Sequence, residues 1–203
     1  MNLTDIYQPS PATHLVDGIY QTNLTDVLFI EANKHADERG FFAELVRLPE
    51  LNQVIAEPFH IEQLNLARSV THVARGFHRE NWAKLIMVLT GECLSVIVDI
   101  RPESPTFGQH LKLHFGDSGQ TPTGAIYLPR GMGNGYLALS GPVNYFYCFN
   151  ALYKNRDTSG DMSLSLFDPD VAVTWPIPRE QMLLSDRDKS ASTLRQLFPD
   201  KFI

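Results

Sequence analysis

Short β-type runs, each followed by turn residues, fill most of the chain and limit what it can fold into. The runs alternate polar with apolar residues or are continuously apolar, and they cover 26–30, 61–69, 85–89, 93–100, 111–115, 125–129, 136–139 and 143–149. Turn residues separate many of them at intervals of roughly 8–12 residues, which is typical of sandwiches and barrels. Because long helices do not alternate with these runs, the pattern predicts an all-β sandwich or barrel rather than a βαβ sheet.

Only short helices are expected around this sheet. Residues 48–59 favour a short helix that ends before Pro58, because the residue that precedes a proline avoids helical geometry. Residues 190–197 can form a terminal helix. Within the apolar stretch that begins at residue 85, Gly91 predicts a hairpin turn between two strands.

The length of the chain suits one domain. A sequence of 203 residues with 43% hydrophobic content can bury a substantial core, and we expect a single domain over 1–203. Residues 1–18 are polar, contain two prolines and predict an N-terminal extension. Residues 189–203 predict a helical tail.

The charge of the chain narrows its partners. A formal net charge of −6 argues against a nucleic-acid partner or an anionic membrane surface. No apolar run approaches the roughly 20 residues that a membrane span needs, and no signal peptide opens the chain. Cys93 and Cys148 lie inside apolar runs without metal-ligand spacing, so we expect reduced core thiols and a cytoplasmic protein.

Three cationic or potentially cationic residues stand at the opening of a strongly apolar run. Arg75, His78 and Lys84 precede or begin the strand predicted at 85–89. Cations at the mouth of a buried strand are costly unless an anion pairs with them, so the cluster indicates a site for an anionic small molecule. The alternative is a solvated strand end with ordinary surface charges.

Other side chains with possible chemical roles recur at strand edges and turns. They are Gln63, Asn65, Tyr147, Tyr153 and Asp168. A barrel can bring such residues into one cavity, where a histidine serves as base, a tyrosine as acid and a lysine or arginine stabilises an oxyanion. Each also has a structural interpretation: a hydrogen-bonded core histidine, core or rim tyrosines, and a turn aspartate before proline.

A metal-dependent barrel is the first rival interpretation. Such a site needs clustered imidazoles and a carboxylate. His78 is followed by Arg79 and Glu80, so there is no His-x-His pair, and the glycine-rich turn carries Asn134 where another ligand could stand. The sequence therefore predicts no metal and no other cofactor.

An ordered set of motifs resembles one known family. The set comprises Asp37-Glu-Arg-Gly-Phe-Phe-Ala-Glu44, Gln63-x-Asn65, Arg75-Gly-Phe-His78, Ala83-Lys-Leu85, Val98-Asp-Ile-Arg101, Ser104-Pro-Thr-Phe-Gly108, Tyr127-Leu-Pro129, Tyr147 with Tyr153, Asp168-Pro169, Trp175-Pro176 and Leu184-Ser-Asp-Arg-Asp188. In this order the motifs are similar to those of the dTDP-4-dehydrorhamnose 3,5-epimerases. The resemblance implies a metal-free, cupin-type jelly-roll barrel without a cofactor.

The resemblance also implies a role for each matching residue. His78 matches the catalytic base, Asp168 its orienting carboxylate, Tyr147 the acid on the opposite face of the sugar and Lys84 the lysine near the keto oxygen. The implied contacts to the nucleotide sugar are Arg75, Gln63, Asn65, Asn134 and Tyr153, joined by Arg39, Phe42 and Glu44 from a neighbouring subunit. The family exchanges N-terminal strands in a homodimer, so we expect a homodimer here.

The implied reaction is an epimerisation. A 4-keto group acidifies the hydrogens on C3 and C5, so a base can remove one, a lysine can stabilise the enolate, and an acid can return the proton from the other side. Asn134 stands where the family has a histidine, and the segment from His78 to Lys84 is short. Two alternatives therefore remain: a non-catalytic nucleotide-sugar binding or scaffold protein, and an epimerase that acts at only one carbon of a different nucleotide sugar.

Overall fold

The computed structural model describes residues 5–116, 121, 123–155 and 157–202. Its strands are β1 (His14–Val16), β2 (Ile19–Gln21), β3 (Leu28–Glu31), β4 (Asn33–Asp37), β5 (Gly40–Glu44), β6 (Gln63–Ser69), β7 (Ala74–Arg79), β8 (Lys84–Asp99), β9 (His110–Gly116), β10 (Gly124–Leu128), β11 (Met132–Phe149) and β12 (Met162–Ser163). Its α-helices are α1 (Leu48–Val54), α2 (Asp186–Lys189) and α3 (Leu194–Leu197). The predicted all-β architecture with short peripheral helices is confirmed.

Two long strands organise the main sheet. β8 and β11 pair antiparallel from Met132 opposite Asp99 to Phe149 opposite Lys84. β6 and β7 both pair with β11, while β9 and β10 both pair with β8, so the ten-stranded sheet branches and wraps around its own interior. Polar side chains from several strands can therefore reach one cavity.

The long strand β8 is apolar because both of its faces are covered. Ile86 and Ile97 point into the barrel interior, where they meet Tyr136 and Tyr145 of β11. Other side chains of β8 point outward under the C-terminal segment or under α1; they are Leu94, Val96 and Val98 in the first group and Leu85 and Met87 in the second. A strand buried on two faces reads as a continuous apolar run rather than an alternating one.

The predicted hairpin at Gly91 is wrong. β8 continues without a break from Lys84 to Asp99, and β11 likewise unites the two runs predicted at 136–139 and 143–149. Gly91 adopts a φ of +75°, and a Cβ atom there would lie 2.8 Å from the carbonyl oxygen of Pro142. The glycine thus permits an irregular crossing of two long strands, a use that local sequence does not distinguish from a turn.

The predicted peripheral helices form, although they are shorter than expected. α1 ends at Val54, ahead of Pro58, and α3 begins after a capping box in which the Thr193 side chain accepts from the backbone N–H of Gln196. The described part of the predicted N-terminal extension joins the sheet, because β1 pairs with β2. No α-helix in the described ranges is long and apolar enough to cross a membrane.

β4 and β5 form a separate two-stranded sheet whose side chains are mostly exposed. Phe41 and Phe42 are 56% and 68% exposed. A second exposed apolar surface lies on β6, where Leu64 and Leu66 point away from the barrel interior at 56% and 57% exposure. An isolated hairpin is marginally stable in water, so these surfaces invite a covering partner.

Candidate active site

His78 and Lys84 flank the turn that joins β7 to β8. His78 is the last but one residue of β7 and lies opposite Asn134 of β11, while Lys84 is the first residue of β8. Tyr147 lies on β11 opposite Ile86, two residues further along β8. The Lys84 ammonium pairs with Glu80, and the charge of Glu80 interacts with both His78 and Tyr147, so these three proposed catalytic side chains lie near Glu80.

The carboxylate beside His78 belongs to Asp188 in α2. Nε2 of His78 lies 2.7 Å from Oδ1 of Asp188, whose side chain is only 2% exposed. The hydroxyl of Ser185, the N-cap residue of α2, donates to Oδ2 of Asp188 at 2.7 Å. Burial tends to raise the pKa of Asp188, but the hydrogen bonds from His78 and Ser185 outweigh it and leave that pKa below its ordinary value. Asp188 is thus an ionised acceptor that orients the imidazole.

Asp168, the expected orienting carboxylate, lies elsewhere, and the expectation that it holds His78 is corrected. Its Oδ2 accepts from the backbone N–H of Leu194 at 2.6 Å, and its Oδ1 accepts from the N–H groups of Asp170 and Val171 at 2.9 Å each. It therefore ties the first residue of α3 to the loop after the barrel. An Asp-Pro pair and its place in the motif order do not reveal which way the aspartate side chain points. The sequence alone therefore does not distinguish Asp168 from Asp188 as the partner of His78.

Lys84 is buried and forms an ion pair with Glu80. The Lys84 side chain is 5% exposed and its Nζ donates to Oε2 of Glu80, whose side chain is 17% exposed. Burial tends to raise the pKa of Glu80, but the positive charge and hydrogen bond of Lys84 outweigh it, so that pKa lies below its ordinary value. The pair places an ammonium group and a carboxylate beside the imidazole.

Tyr147 stands among aromatic side chains. Its ring lies 5.1 Å from that of Tyr145 and 5.6 Å from that of Phe149, centroid to centroid. Burial raises the pKa of Tyr147 well above its ordinary value, with further contributions from Tyr136 and from the negative charge of Glu80. The phenol is therefore protonated at neutral pH, the form a proton donor needs.

Three candidate substrate contacts meet at the rim. The side-chain amide of Gln63 donates to Oδ1 of Asn65 at 2.8 Å, and its own oxygen accepts from the backbone N–H of Tyr153 at the same distance. Tyr153 is 57% exposed, with its ring 6.1 Å from that of buried Trp82. The predicted grouping of Gln63, Asn65 and Tyr153 is thus present, with an accessible aromatic ring beside two amides.

Arg75 and Asn134 belong to a hydrogen-bond network in the barrel. Nε of Arg75 donates to the Ser69 hydroxyl at 3.1 Å, and that hydroxyl lies 2.8 Å from the hydroxyl of Tyr136. Asn134, at 6% exposure, accepts from the hydroxyl of Tyr145 at 3.2 Å. Arg75 is exposed to solvent, where its guanidinium can meet an anion, whereas Asn134 sits in the interior.

Arg39, Phe42 and Glu44 lie on the β4–β5 hairpin. Arg39 pairs with Asp37 at 2.6 Å and Glu44 with Arg47 at 2.5 Å, and Phe42 faces outward. Within one chain, these three residues have no hydrogen bond or ion pair to His78, Lys84 or Tyr147 in the described ranges.

Sequence reasoning missed Asp188 and Glu80. Both had a signal: Asp188 closes the motif 184–188 and follows Ser185 at capping distance, and Glu80 precedes Lys84 by four residues. No group of three or more histidine, cysteine or acidic side chains that could hold a metal ion occurs in the parts of the chain that the structure describes.

A cavity of about 600 Å³ lies away from these residues. It is lined by Phe59 and Tyr127 together with the end of α1 and the loop before β3. None of the candidate site residues lines it. The chemistry of the side chains, rather than the size of a cavity, therefore marks the candidate active site.

An antiparallel barrel that holds a histidine–carboxylate pair, a buried lysine and a protonated tyrosine defines an enzyme of acid–base type. The sequence model of the dTDP-4-dehydrorhamnose 3,5-epimerase family matches residues 21–196. The chain therefore belongs to the dTDP-4-dehydrorhamnose 3,5-epimerase family. The predicted family is confirmed.

Relatives support the assignment along most of the chain. The Escherichia coli K12 dTDP-4-dehydrorhamnose 3,5-epimerase is 30% identical over 92% of this chain and 99% of its own length. A Streptomyces dTDP-4-dehydro-6-deoxyglucose 3-epimerase is 34% identical over 79% of this chain and 80% of its own. The dTDP-6-deoxy-D-glucose-3,5-epimerase of Legionella pneumophila, solved with dTDP-4-keto-L-rhamnose, superposes with a TM-score of 0.78 at 31% identity, covering 90% of this chain and 95% of that chain.

These findings confirm the predicted cupin-type barrel and the predicted class of enzyme. The chain is an isomerase, an epimerase of nucleotide-linked 4-keto-6-deoxy sugars. The relatives include enzymes named for inversion at C3 and C5 and enzymes named for inversion at C3 alone.

Proposed function

We propose that His78 abstracts a proton next to the 4-keto group, Lys84 stabilises the resulting enolate, and Tyr147 returns a proton on the opposite face. The observation that carries this proposal is the 2.7 Å contact between His78 and the buried Asp188, close to Glu80, which pairs with Lys84 and whose charge acts on Tyr147. The three roles use only groups that the chain itself supplies.

The base step follows from the orientation of His78. An ionised Asp188 accepts the Nε2–H of the ring, which leaves Nδ1 as the nitrogen that can take a proton. As the imidazole becomes positively charged, the buried carboxylate stabilises it. Because both C3 and C5 are next to the ketone, one base can serve either carbon.

Lys84 stabilises the enolate, and Tyr147 returns the proton. Negative charge gathers on the keto oxygen when the proton leaves, and an ammonium group in a buried site stabilises that charge strongly. Lys84 is such a group, with 5% of its side chain exposed. Tyr147 keeps its phenolic proton at neutral pH and can donate it, so a proton that leaves to His78 and returns from Tyr147 inverts the carbon.

The rim residues suit a nucleoside diphosphate. The exposed guanidinium of Arg75 suits a phosphate, and the exposed ring of Tyr153 offers a surface on which a base can stack. Gln63 and Asn65 add amide donors and acceptors beside that ring. Since the relatives are named for dTDP sugars, dTDP is the nucleotide we propose for this chain.

A homodimer with exchanged N-terminal strands is part of the proposal. The β4–β5 hairpin packs as its own small sheet with exposed aromatic residues, and β6 exposes Leu64 and Leu66. Seating the hairpin on a partner would cover its apolar side chains and bring Arg39, Phe42 and Glu44 to the partner's site. This arrangement explains why charged and aromatic residues share a hairpin with little protein around it.

The test is incubation of the protein in D₂O with dTDP-, GDP-, UDP- and CDP-linked 4-keto-6-deoxy sugars, followed by NMR. We expect deuterium at C3, C5 or both and inversion at the same carbons, with dTDP favoured. A matched control is the His78→Asn variant. Binding of the nucleotide sugar without any deuterium uptake would contradict the proposed roles and favour the non-catalytic binding protein instead.

A further inference from the structure

The turn between β7 and β8 places a carboxylate inside the proposed sugar pocket. Glu80 follows β7 immediately, and its side chain is 17% exposed. It stands two residues after His78, just beyond the end of β7. The charges of Lys84 and His78 both act on Glu80, and its own charge acts on Tyr147. Glu80 therefore contacts Lys84 directly and interacts through its charge with His78, Tyr147 and Arg187.

A carboxylate at this place opposes the reaction unless it has a partner. Negative charge develops on the keto oxygen beside Lys84, and a second negative charge nearby raises the energy of the enolate. Glu80 also accepts a hydrogen bond from the Lys84 ammonium group, which the enolate needs as a donor. A substrate group that donates a hydrogen bond to the carboxylate would offset both effects.

One oxygen of Glu80 has room for such a donor. Oε2 accepts from Lys84, and Oε1 accepts no hydrogen bond from any residue that the structure describes. An ionised carboxylate has two acceptor oxygens, each with two lone pairs. The Lys84–Glu80 pair therefore presents a donor and an acceptor side by side.

We propose that the Lys84–Glu80 pair recognises an α-hydroxy ketone, with Lys84 donating to the C4 keto oxygen and Oε1 of Glu80 accepting from the hydroxyl on C3. The inference rests on the proposed roles of His78 and Lys84. The keto oxygen on C4 is an acceptor that matches the donor Lys84. The hydroxyl on the adjacent C3 is a donor that matches the acceptor Glu80. Glu80 is thus a specificity-determining residue that selects 4-keto sugars with a hydrogen-bond donor at C3.

The expected preference follows from hydrogen-bond energetics. A site built to accept from a substrate hydroxyl discriminates against an analogue that lacks it, because Oε1 of the charged carboxylate then has no donor from the sugar. A hydrogen bond to a charged group gives a preference of about 10- to 100-fold. We expect the wild-type protein to favour the 3-hydroxy sugar over its 3-deoxy analogue by this factor in kcat/KM.

The experiment compares dTDP-4-keto-6-deoxyglucose with its 3-deoxy analogue, reading initial deuterium uptake at C5 in D₂O. Glu80→Met removes the acceptor at similar length, Glu80→Gln retains a neutral acceptor, and Glu57→Gln alters a carboxylate that is 79% exposed and lies outside the site. The readout is the ratio of the two substrates' kcat/KM values. If a variant displaces Lys84, activity falls equally on both substrates and the ratio does not change.

The ratio should fall to near 1 in Glu80→Met, take an intermediate value in Glu80→Gln and stay unchanged in Glu57→Gln. A wild-type ratio near 1 overturns the inference without any variant, even if Glu80→Met fails to fold. An unchanged ratio in folded Glu80→Met also overturns it while wild-type exchange leaves the proposed function standing. If the wild-type protein exchanges neither substrate, the proposed function itself fails and the inference falls with it.

Discussion

Nε2 of His78 and Oδ1 of Asp188 lie 2.7 Å apart although 110 residues of chain separate them. Asp168, the other aspartate in the C-terminal segment with a buried carboxylate, binds three backbone N–H groups instead. One carboxylate therefore serves an imidazole and the other serves the fold. A change at Asp188 should therefore act mainly on catalysis and a change at Asp168 mainly on stability.

Asp188→Asn and Asp168→Asn should give opposite profiles. Asp188→Asn removes the charge that orients His78, and we expect kcat/KM to fall about 10²–10⁴-fold. Asp168→Asn weakens three charge-assisted hydrogen bonds, and we expect the free energy of unfolding to fall by about 2–4 kcal/mol with little change in the activity of the folded fraction. Steady-state kinetics and urea unfolding on both variants check this. A larger kinetic defect in Asp168→Asn would reverse the assignment.

His78→Asn should stop both solvent exchange and inversion, whereas Tyr147→Phe should stop inversion alone. Without the base no enolate forms, so His78→Asn should lose both solvent exchange and epimerisation by about 10²–10⁴-fold or more. Tyr147→Phe keeps the base, so deuterium should still enter with retained configuration while inversion nearly stops. NMR in D₂O follows the two processes separately.

The two variants have a shared control. Both should still bind the nucleotide, because Arg75, Gln63 and Tyr153 are unaltered. Robust inversion by His78→Asn would refute the mechanism, and equal loss of exchange and inversion in Tyr147→Phe would remove the separate acid role of Tyr147.

The lowered pKa of Asp188 predicts how its contribution to stability varies with pH. A carboxyl group whose pKa is lower in the folded state stabilises the fold above its unfolded pKa, near 3.9, and loses that contribution as pH falls through the folded value. The difference in free energy of unfolding between wild type and Asp188→Asn should therefore narrow below about pH 4. Urea unfolding at pH 5, 4 and 3 measures the difference.

Asp186→Asn is the matched control for this series, because Asp186 in the same helix has a side chain that is 99% exposed. Its difference from wild type should show a smaller dependence on pH. A wild-type to Asp188→Asn difference that stays constant to pH 3 would contradict the proposed coupling of Asp188 to His78.

A shared site predicts complementation between defective subunits. In a heterodimer of Arg39→Ala with His78→Ala, one of the two sites regains both residues, so a randomly exchanged 1:1 mixture should recover about a quarter of wild-type activity. The control is a mixture of Lys84→Ala with His78→Ala, which should recover nothing because both residues come from the same chain. No recovery in the first mixture, with exchange demonstrated by native mass spectrometry, would argue against strand exchange.

Much of the fold follows from patterns in short segments. The long strands β6, β8, β9 and β11 and the buried β3 and β10 have a local apolar signal, and a proline limits the end of α1, so an all-β barrel with small helices could be predicted. The uninterrupted path of β8 through Gly91 could not, because the glycine's role depends on the carbonyl of Pro142 from another strand. Non-local contacts of this kind leave no trace in the segment itself.

In the candidate site, too, the residues with a local motif could be predicted, and those that depend on non-local contacts could not. His78, Lys84 and Tyr147 lie on β7, β8 and β11, and the motif order locates them in the sequence. The choice between Asp168 and Asp188 depends on how the segment after the barrel returns to β7, which only the folded chain reveals. Glu80 escaped notice because a charged pair spaced by four residues is common at surfaces, and its burial was not visible in the sequence.

The position of Asp188 also affects when activity arises during synthesis. The twelve strands of the described ranges all precede α2, so a ribosome that has translated the barrel has not yet delivered the carboxylate that orients His78. The growing chain can acquire its rim of Arg75, Gln63 and Tyr153 first. We therefore expect nascent chains to gain affinity for the nucleotide before they gain turnover.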